Sequence, residues 1–414
     1  MTCTLIGLAV LVVLAVWYAR VVHPFLLQIS DQAGPWYLAL SPADLDLDGD
    51  LDVLVHNMRK PAEFEAWAGG TLWINQGGMQ GGQAGQFVYR RNDIEGGWAS
   101  TPADLDGDGY PDVLVYDGSR LILGLNRGGD QEGQAGVFKE RQSAPPPYRG
   151  VGQYGVLVVG DINADSRVDA LMLGRGQSYV PEDGSYSDNV SWLWLNKVNS
   201  YGFFEIKTAI IAALDGLSVA GAALGDLDGD GDLDLFVVAS PTKAKSMDGT
   251  TGLLLLNDGT GGFSDTGQRF PAEQSSSLAL GDLDGDGDLD VLLGYSRGAL
   301  ILTNQGGAQA GRAGMLAASD QVIAGSKTRG VCLGDLDGDG DLDALVAGKR
   351  RVALWLNDGQ GKFTRAAQNL PFSERQGLTV GDFNGDGWLD IFVAEYDHAA
   401  RVWLNDGQGT FRTQ

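Results

Sequence analysis

From about residue 30 onward, apolar residues occur in short runs separated by Gly- and Asp-rich segments. Runs such as DVLV, DLFVV, DVLLG, DALVA and DIFVA show no helical period and read as strands buried on both faces. Each follows an acidic loop, and before that loop lies another apolar stretch, such as SLALG or RGVCLG. A third apolar run then ends in Asn, at Asn75, Asn126, Asn196, Asn257, Asn304, Asn357 and Asn405. A turn leads to an outer strand opened by Phe87, Phe138, Phe203, Phe263, Phe363 or Phe411, with Met315 in that place in the fifth copy. The pattern predicts an antiparallel unit of four strands. Such a unit has too small a face to bury alone, so seven of them are expected to close radially into a β-propeller.

The acidic loop is the repeat's signature: a nonapeptide of form D-x-D/N-x-D-x-x-x-D, present seven times at intervals of 60, 57, 65, 56, 53 and 47 residues. Positions 1, 3, 5 and 9 are Asp44, Asp46, Asp48 and Asp52 in the first copy and Asp104, Asp106, Asp108 and Asp112 in the second. The third has Asp161, Asn163, Asp165 and Asp169; the fourth has Asp226, Asp228, Asp230 and Asp234. The fifth has Asp282, Asp284, Asp286 and Asp290, and the sixth Asp335, Asp337, Asp339 and Asp343. The seventh has Asp382, Asn384, Asp386 and Asp390.

Carboxylates at alternate positions of a tight loop converge and offer hard oxygen ligands. Ca²⁺ accepts six to eight oxygens at about 2.3–2.6 Å in irregular geometry, which makes it the expected ion, one per blade. Six copies have Gly at position 6, where the turn calls for positive φ. Position 7 varies freely, as expected if it binds through its carbonyl, and position 8 is apolar throughout and is expected to plug into the core. The third copy, with Asn163 and Ser166, is the weakest. An EF-hand would need Glu at position 12, where these copies carry Val55, Val115, Met172, Val237, Leu293, Val346 and Val393.

With these residues the chain resembles the FG-GAP/VCBS repeat family, best known from the propeller of integrin α-subunits, over about residues 30–414. The resemblance implies a seven-bladed propeller whose D-x-D-x-D-G-x-x-D loops bind Ca²⁺ between the first and second strands of a blade. The Phe-Gly and Gly-Ala-Pro elements that name the repeat are poorly kept.

The amino terminus differs in kind. Residues 4–19 (TLIGLAVLVVLAVWYA) carry no charge, and residues 1–22 are expected to form a transmembrane helix or signal anchor, with 23–414 as the propeller. That expectation places the ring on the extracytoplasmic side of a membrane, or in secreted form if the segment is cleaved. Residues 24–30 (PFLLQIS) read as a further outer strand that joins the last blade and ties the ring.

Charge narrows the partners. The chain has 54 acidic and 29 basic residues and a net charge of −25, which argues against nucleic acid. The seven nonapeptides hold 30 of the acidic residues, and seven bound divalent ions would bring the charge to −11. Two cysteines, Cys3 and Cys332, cannot make a disulfide framework. The three histidines belong to no catalytic motif, and no nucleophile elbow, phosphate loop or HExxH is present, so the chain is read as non-enzymatic. Trp73, Trp192, Trp194, Trp355 and Trp403 precede the Asn turn and are expected in the core. The long connections 56–70, 174–190 and 240–251, with the link 139–153, are expected on the face opposite the metals, as a partner face. The functional expectation is a membrane-anchored, calcium-stiffened module that binds a membrane-associated protein as accessory subunit. A carbohydrate-binding or polysaccharide-lyase-type propeller is the alternative.

Overall fold

The computed structural model describes residues 38–413 apart from 58–68, 78–81, 96–98, 117–120, 127–136, 143–153, 176–177, 181–184, 188–190, 198–203, 210, 242–248, 274, 276, 307–313, 325–326, 373–375 and 396–399. Seven antiparallel sheets follow one another along the chain, and in each the strands pair in sequence order. The first blade is Leu38–Ala43, Asp52–Asn57, Gly69–Asn75 and Phe87–Glu95. Each acidic loop joins the first strand of its blade to the second. Each Asn ends the third strand and faces the residue that opens the fourth, as in the pairs Asn75–Phe87, Asn357–Phe363 and Asn405–Phe411. The fourth blade adds a short strand, Phe270–Pro271, and the third carries a two-stranded ribbon, Ser178–Val180 with Ser185–Ser187, in its long connection.

The blades close into a ring. First strands of successive blades lie side by side: Leu38–Ala43, Ala99–Ala103, Tyr154–Gly160, Leu217–Gly225, Ser277–Gly281, Gly330–Gly334 and Gln376–Gly381, the last against Leu38–Ala43 again. The core is divided into seven apolar clusters, one at each interface between neighbouring blades. In the strand Asp343–Ala347, Ala344 and Val346 face the fifth blade, whereas Leu345 and Ala347 face the seventh. Both faces are therefore buried, and this explains why these strands read as unbroken apolar runs. The seam between the seventh and first blades is aromatic: Phe87 lies 4.8 Å from Phe392 and 5.7 Å from Phe383, ring centre to ring centre.

The apolar residue at loop position 8 plugs the neighbouring blade. The Leu233 side chain sits over Gly160, Leu289 over Gly225, Leu342 over Gly281, Leu389 over Gly334 and, across the seam, Leu51 over Gly381. A Cβ at these glycines would come within 2.5–2.9 Å of a leucine methyl. At the same repeat positions the sequence sets Ala43 and Ala103 with the smaller position-8 residues Pro111 and Val168, and Ala103 and Val168 pack in one apolar cluster. Socket and plug are matched in size.

Several expectations are corrected. The segment expected to be a transmembrane or signal-anchor helix, residues 1–22, lies outside the described residues, as does 24–30. Among the described residues no helix is long and apolar enough to cross a membrane; the helical element there is one 3₁₀ turn, Ala212–Leu214. A membrane-anchored architecture, membrane localisation and a membrane-associated partner therefore find no footing in the fold and are withdrawn. The outer strands of the third and fifth blades open at Phe204 and Leu316, one residue later than expected from Phe203 and Met315. A one-residue slip turns side chains to the opposite face, which leaves Leu316 buried and Met315 exposed.

The plug predicts a coupled pair. Gly281→Ala is expected to cost about 1–2 kcal/mol by overpacking Leu342. Adding Leu342→Val recreates the smaller plug on Ala and is expected to recover at least about 0.5 kcal/mol of coupling in a double-mutant cycle of urea unfolding. Strict additivity would refute the socket.

Candidate metal centre and blade junction

Two hydrogen bonds shape every loop. The position-1 carboxylate accepts the position-6 N–H, at 2.7–3.1 Å in all seven copies. The position-5 carboxylate accepts the position-7 N–H. To make these turns the chain takes positive φ at position 4 as well as position 6. Glycine stands at both in five copies, for example Gly229 and Gly231. The first copy puts Leu47 at position 4, and the third puts Ala164 and Ser166 at both, where a side chain costs about 1–2 kcal/mol per residue.

The carboxylates converge as the spacing predicts. Asp44, Asp46 and Asp48 offer oxygens within 4.8 Å of one another, as do Asp104, Asp106 and Asp108, then Asp226, Asp228 and Asp230, and Asp335, Asp337 and Asp339. In the fifth copy the group is Asp282, Asp284 and Asp290. Two oxygens on one ion at about 2.3–2.6 Å stand no more than ~5 Å apart, so these clusters fit a divalent cation bound by hard oxygens. In the third and seventh copies Asn163 and Asn384 take position 3, supplying an amide oxygen in place of a charge.

Position 9 has a second role that the sequence did not reveal. Asp52, Asp112, Asp169, Asp234, Asp290, Asp343 and Asp390 are fully buried. In each, Oδ1 accepts the backbone N–H of the Asn that ends the third strand, at 2.7–2.9 Å. Oδ2 accepts the N–H of loop position 2, at 2.8–3.2 Å. Apart from Asp234 Oδ2, which also accepts the Asp228 N–H at 3.1 Å, each oxygen keeps a second lone pair, so the carboxylate can hold the loop to the strand and still face an ion.

The Asn side chain carries the link to the next blade. Its Nδ2 donates to the position-2 carbonyl of the preceding blade's loop at 2.6–2.9 Å. The pairs are Asn126–Leu45, Asn196–Leu105, Asn257–Ile162, Asn304–Leu227, Asn357–Leu283, Asn405–Leu336 and, closing the ring, Asn75–Phe383. In six blades the same amide also donates to the position-8 carbonyl of its own loop, for example Asn357 to Leu342 at 3.1 Å. Two metal loops therefore meet on each of these asparagines. The signal lay in the sequence, as an Asn at the end of every third strand, but only as a strand terminator.

Burial sets the electrostatics. It pushes the position-9 carboxyls up to about 9 at Asp52, about 7 at Asp112, Asp290, Asp343 and Asp390, and about 6 at Asp169 and Asp234, against the pull of their N–H donors. Neighbouring loop carboxylates add to the rise, as Asp46 does at Asp52. A nearby divalent charge would reverse this.

Other expected sites divide. Cys332 is a free, buried thiol between the sixth and seventh blades, and Trp192, Trp194 and Trp403 are core residues. Most of the four long connections expected as a partner face lie outside the described residues. Position 7 is less free than its variety suggests. Its side chain rests on the turn after the Asn, Asp232 against Gly259, Asp341 against Gly359 and Trp388 against Gly407.

Comparison with known proteins agrees with the repeat reading. An FG-GAP-like repeat family model matches residues 240–293, 335–393 and 382–414, and an FG-GAP repeat model matches 275–313. FG-GAP repeats are a structural and adhesion family rather than a catalytic one, in keeping with a non-enzymatic chain. No curated protein matches the chain. Among solved structures it is similar to an Agrocybe aegerita lectin described as recognising non-reducing terminal N-acetylglucosamine, at 19% identity over 92% of this chain and 90% of that one, with a TM-score of 0.54. The V. cholerae biofilm matrix protein Bap1 matches at 13% identity, 92% and 88% coverage and a TM-score of 0.43. These likenesses concern the fold.

Two predictions follow from the junction. A carboxyl whose folded pKa is raised gives stability that is complete below the unfolded value and lost as pH rises through the folded one. In chelator the protein is expected to melt higher at pH 5 than at pH 8. With calcium the order reverses, because protons compete with the ion for carboxylates. A chelated protein whose melting temperature rises over that interval would contradict the raised values. Replacing Ala164 and Ser166 together with Gly is expected to raise stability by about 1–2 kcal/mol through relief of positive φ, measured by urea unfolding; a loss would contradict it.

Proposed function

We propose that this chain, whose repeats are FG-GAP repeats closed into a seven-bladed β-propeller, is a non-catalytic binding module that takes up to seven calcium ions and binds carbohydrate. The convergence of loop carboxylates within 4.8 Å, next to a buried aspartate, carries the metal part. Oxygen-only ligands on an irregular loop favour Ca²⁺ over Mg²⁺, which demands near-octahedral geometry. The ligands in each blade are the residues at positions 1, 3 and 5, joined by position 9. The third site ranks weakest, since it combines Asn163 with two non-glycine residues at positive φ.

Bound calcium would neutralise the loops on which the Asn links rest, and so would hold the ring rigid as a platform. Rigidity serves recognition, because a preformed surface loses less entropy on binding. Two observations support carbohydrate as the ligand. A lectin of like fold is described as recognising terminal N-acetylglucosamine. On this chain's metal side, Trp388 is 39% exposed, and its indole lies against two glycines, Gly338 and Gly407. An aromatic ring held in this way offers a flat apolar surface for the C–H face of a sugar, with an N–H at its edge.

The test is a glycan array probed with the full chain in calcium and in chelator, repeated with Trp388→Ala. Binding to N-acetylglucosamine-terminated glycans is expected in calcium, weakened at least tenfold by the substitution, with the melting temperature within a few degrees of wild type. A calcium-loaded protein that captures no glycan overturns the carbohydrate reading.

A further inference from the structure

The strand order of a blade puts its metal loop and its Asn turn at one end, and its other turn and the link to the next blade at the opposite end. At that opposite end, three segments of the fifth and sixth blades meet: the turn 295–298, the link 327–329 and the turn 347–351. Thr328 donates its N–H to the Tyr295 carbonyl at 3.1 Å and its hydroxyl to the Gly298 carbonyl at 2.5 Å. Arg329 donates its N–H to the Ala347 carbonyl at 2.7 Å, and Gly348 closes the second turn on the Arg351 carbonyl at 2.9 Å. The link is stitched to both turns, so the three form one surface.

These segments hold Arg297, Lys327, Arg329, Lys349, Arg350 and Arg351, and no Asp or Glu. Such a concentration runs against a chain of net charge −25, whose metal loops, with 30 acidic residues, lie at the far end of the blades. Arg297, Lys349, Arg350 and Arg351 are exposed, and Lys327 and Arg329 are half-buried. Burial, and then the Arg329 charge beside it, hold the Lys327 ammonium below its ordinary value. Like charges held together in this way favour an anion shared between them. Glu273 borders the group on the fourth-blade side, where its backbone carbonyl accepts the Ser296 N–H at 2.9 Å.

The chemistry of the surface selects the kind of anion. Among the described residues the exposed large apolar side chains are Leu47, Val88, Tyr89, Met315 and Trp388, and none belongs to these segments. A protein that docks through apolar anchors finds none here. A hydrophilic chain carrying anions needs none, and the arginine fork matches carboxylate and sulfate groups. A narrow chain also meets this surface without crossing the acidic loops, as a broad anionic sheet could not.

We propose that the cationic face over the fifth and sixth blades binds an acidic polysaccharide, through carboxylate or sulfate groups on its sugars. This surface lies at the opposite end of the blades from Trp388, goes beyond the reading given to that residue, and stands without it.

The full chain in calcium is titrated into fluorescent dextran sulfate, carboxymethyl dextran and neutral dextran, read by anisotropy, and into vesicles containing phosphatidylglycerol, read by co-sedimentation. At least one anionic dextran is expected to bind, more weakly as salt rises, and to be preferred over neutral dextran and vesicles. Binding of one alone names sulfate or carboxylate as the group recognised. Two triple variants remove equal charge, with circular dichroism confirming their fold. Lys349→Gln/Arg350→Gln/Arg351→Gln is expected to weaken the anionic dextran about tenfold or more, through loss of three exposed ion pairs. Lys362→Gln/Arg365→Gln/Arg412→Gln, on the outer strands, is expected to stay within about twofold of wild type, as is Trp388→Ala. Equal loss in the two triples, no binding of either anionic dextran, equal capture of neutral dextran, or preference for the vesicles overturns the proposal. Each of these results leaves N-acetylglucosamine binding at Trp388 to stand or fall on its own array.

Discussion

A buried carboxylate shared between two backbone N–H groups, one from its own loop and one from the third strand of its blade, is the constraint on which this ring depends. The same two bonds recur at Asp52, Asp112, Asp169, Asp234, Asp290, Asp343 and Asp390. They fix where the third strand ends. The Asn found there then has its amide aimed at the loop of the preceding blade. Loop, strand end and neighbouring loop are thereby one hydrogen-bonded unit, repeated around the circle.

That unit is stable only if the charge on it is managed. Removing a carboxylate from water costs several kcal/mol, and two N–H donors offset part of this. Clustered loop aspartates a few ångströms away add repulsion, and an exposed cluster would relax by moving apart. Here the loops are held by their own N–H bonds and by the plug of position 8, so relaxation is limited and a cation is the natural counter-charge. The metal site and the blade contact are in this sense one structure. A loop emptied of its ion should loosen the Asn of the next blade as well as itself.

Much of this was legible in the sequence, for a physical reason. The acidic nonapeptide is local, and its chemistry follows from side-chain spacing, so the loops and the convergence of Asp226, Asp228 and Asp230 came directly from it. The strands were legible because burial on both faces leaves unbroken apolar runs. What was not legible depends on neighbours distant in the chain. The bond from Asn75 to Phe383 spans 308 residues. The fit of Leu342 over Gly281 joins two residues that separately look like an ordinary strand leucine and a strand-end glycine. The register of the outer strands in the third and fifth blades failed by one residue, because two apolar residues stand side by side at Phe203–Phe204 and at Met315–Leu316 and hydropathy alone sets no register there. The apolar amino-terminal stretch, read as an anchor, gave no account of the propeller.

The most direct test of the shared junction is hydrogen–deuterium exchange of the full chain, followed peptide by peptide in calcium and in chelator. In calcium the amide of each third-strand Asn should be protected together with the position-2 loop amide bound to the same carboxylate. On chelation, the metal loop of one blade and the Asn turn of the next should gain exchange together, around the whole ring. Exchange that rises in the loops while every Asn turn stays fully protected would contradict the coupling of ion, aspartate and neighbouring blade.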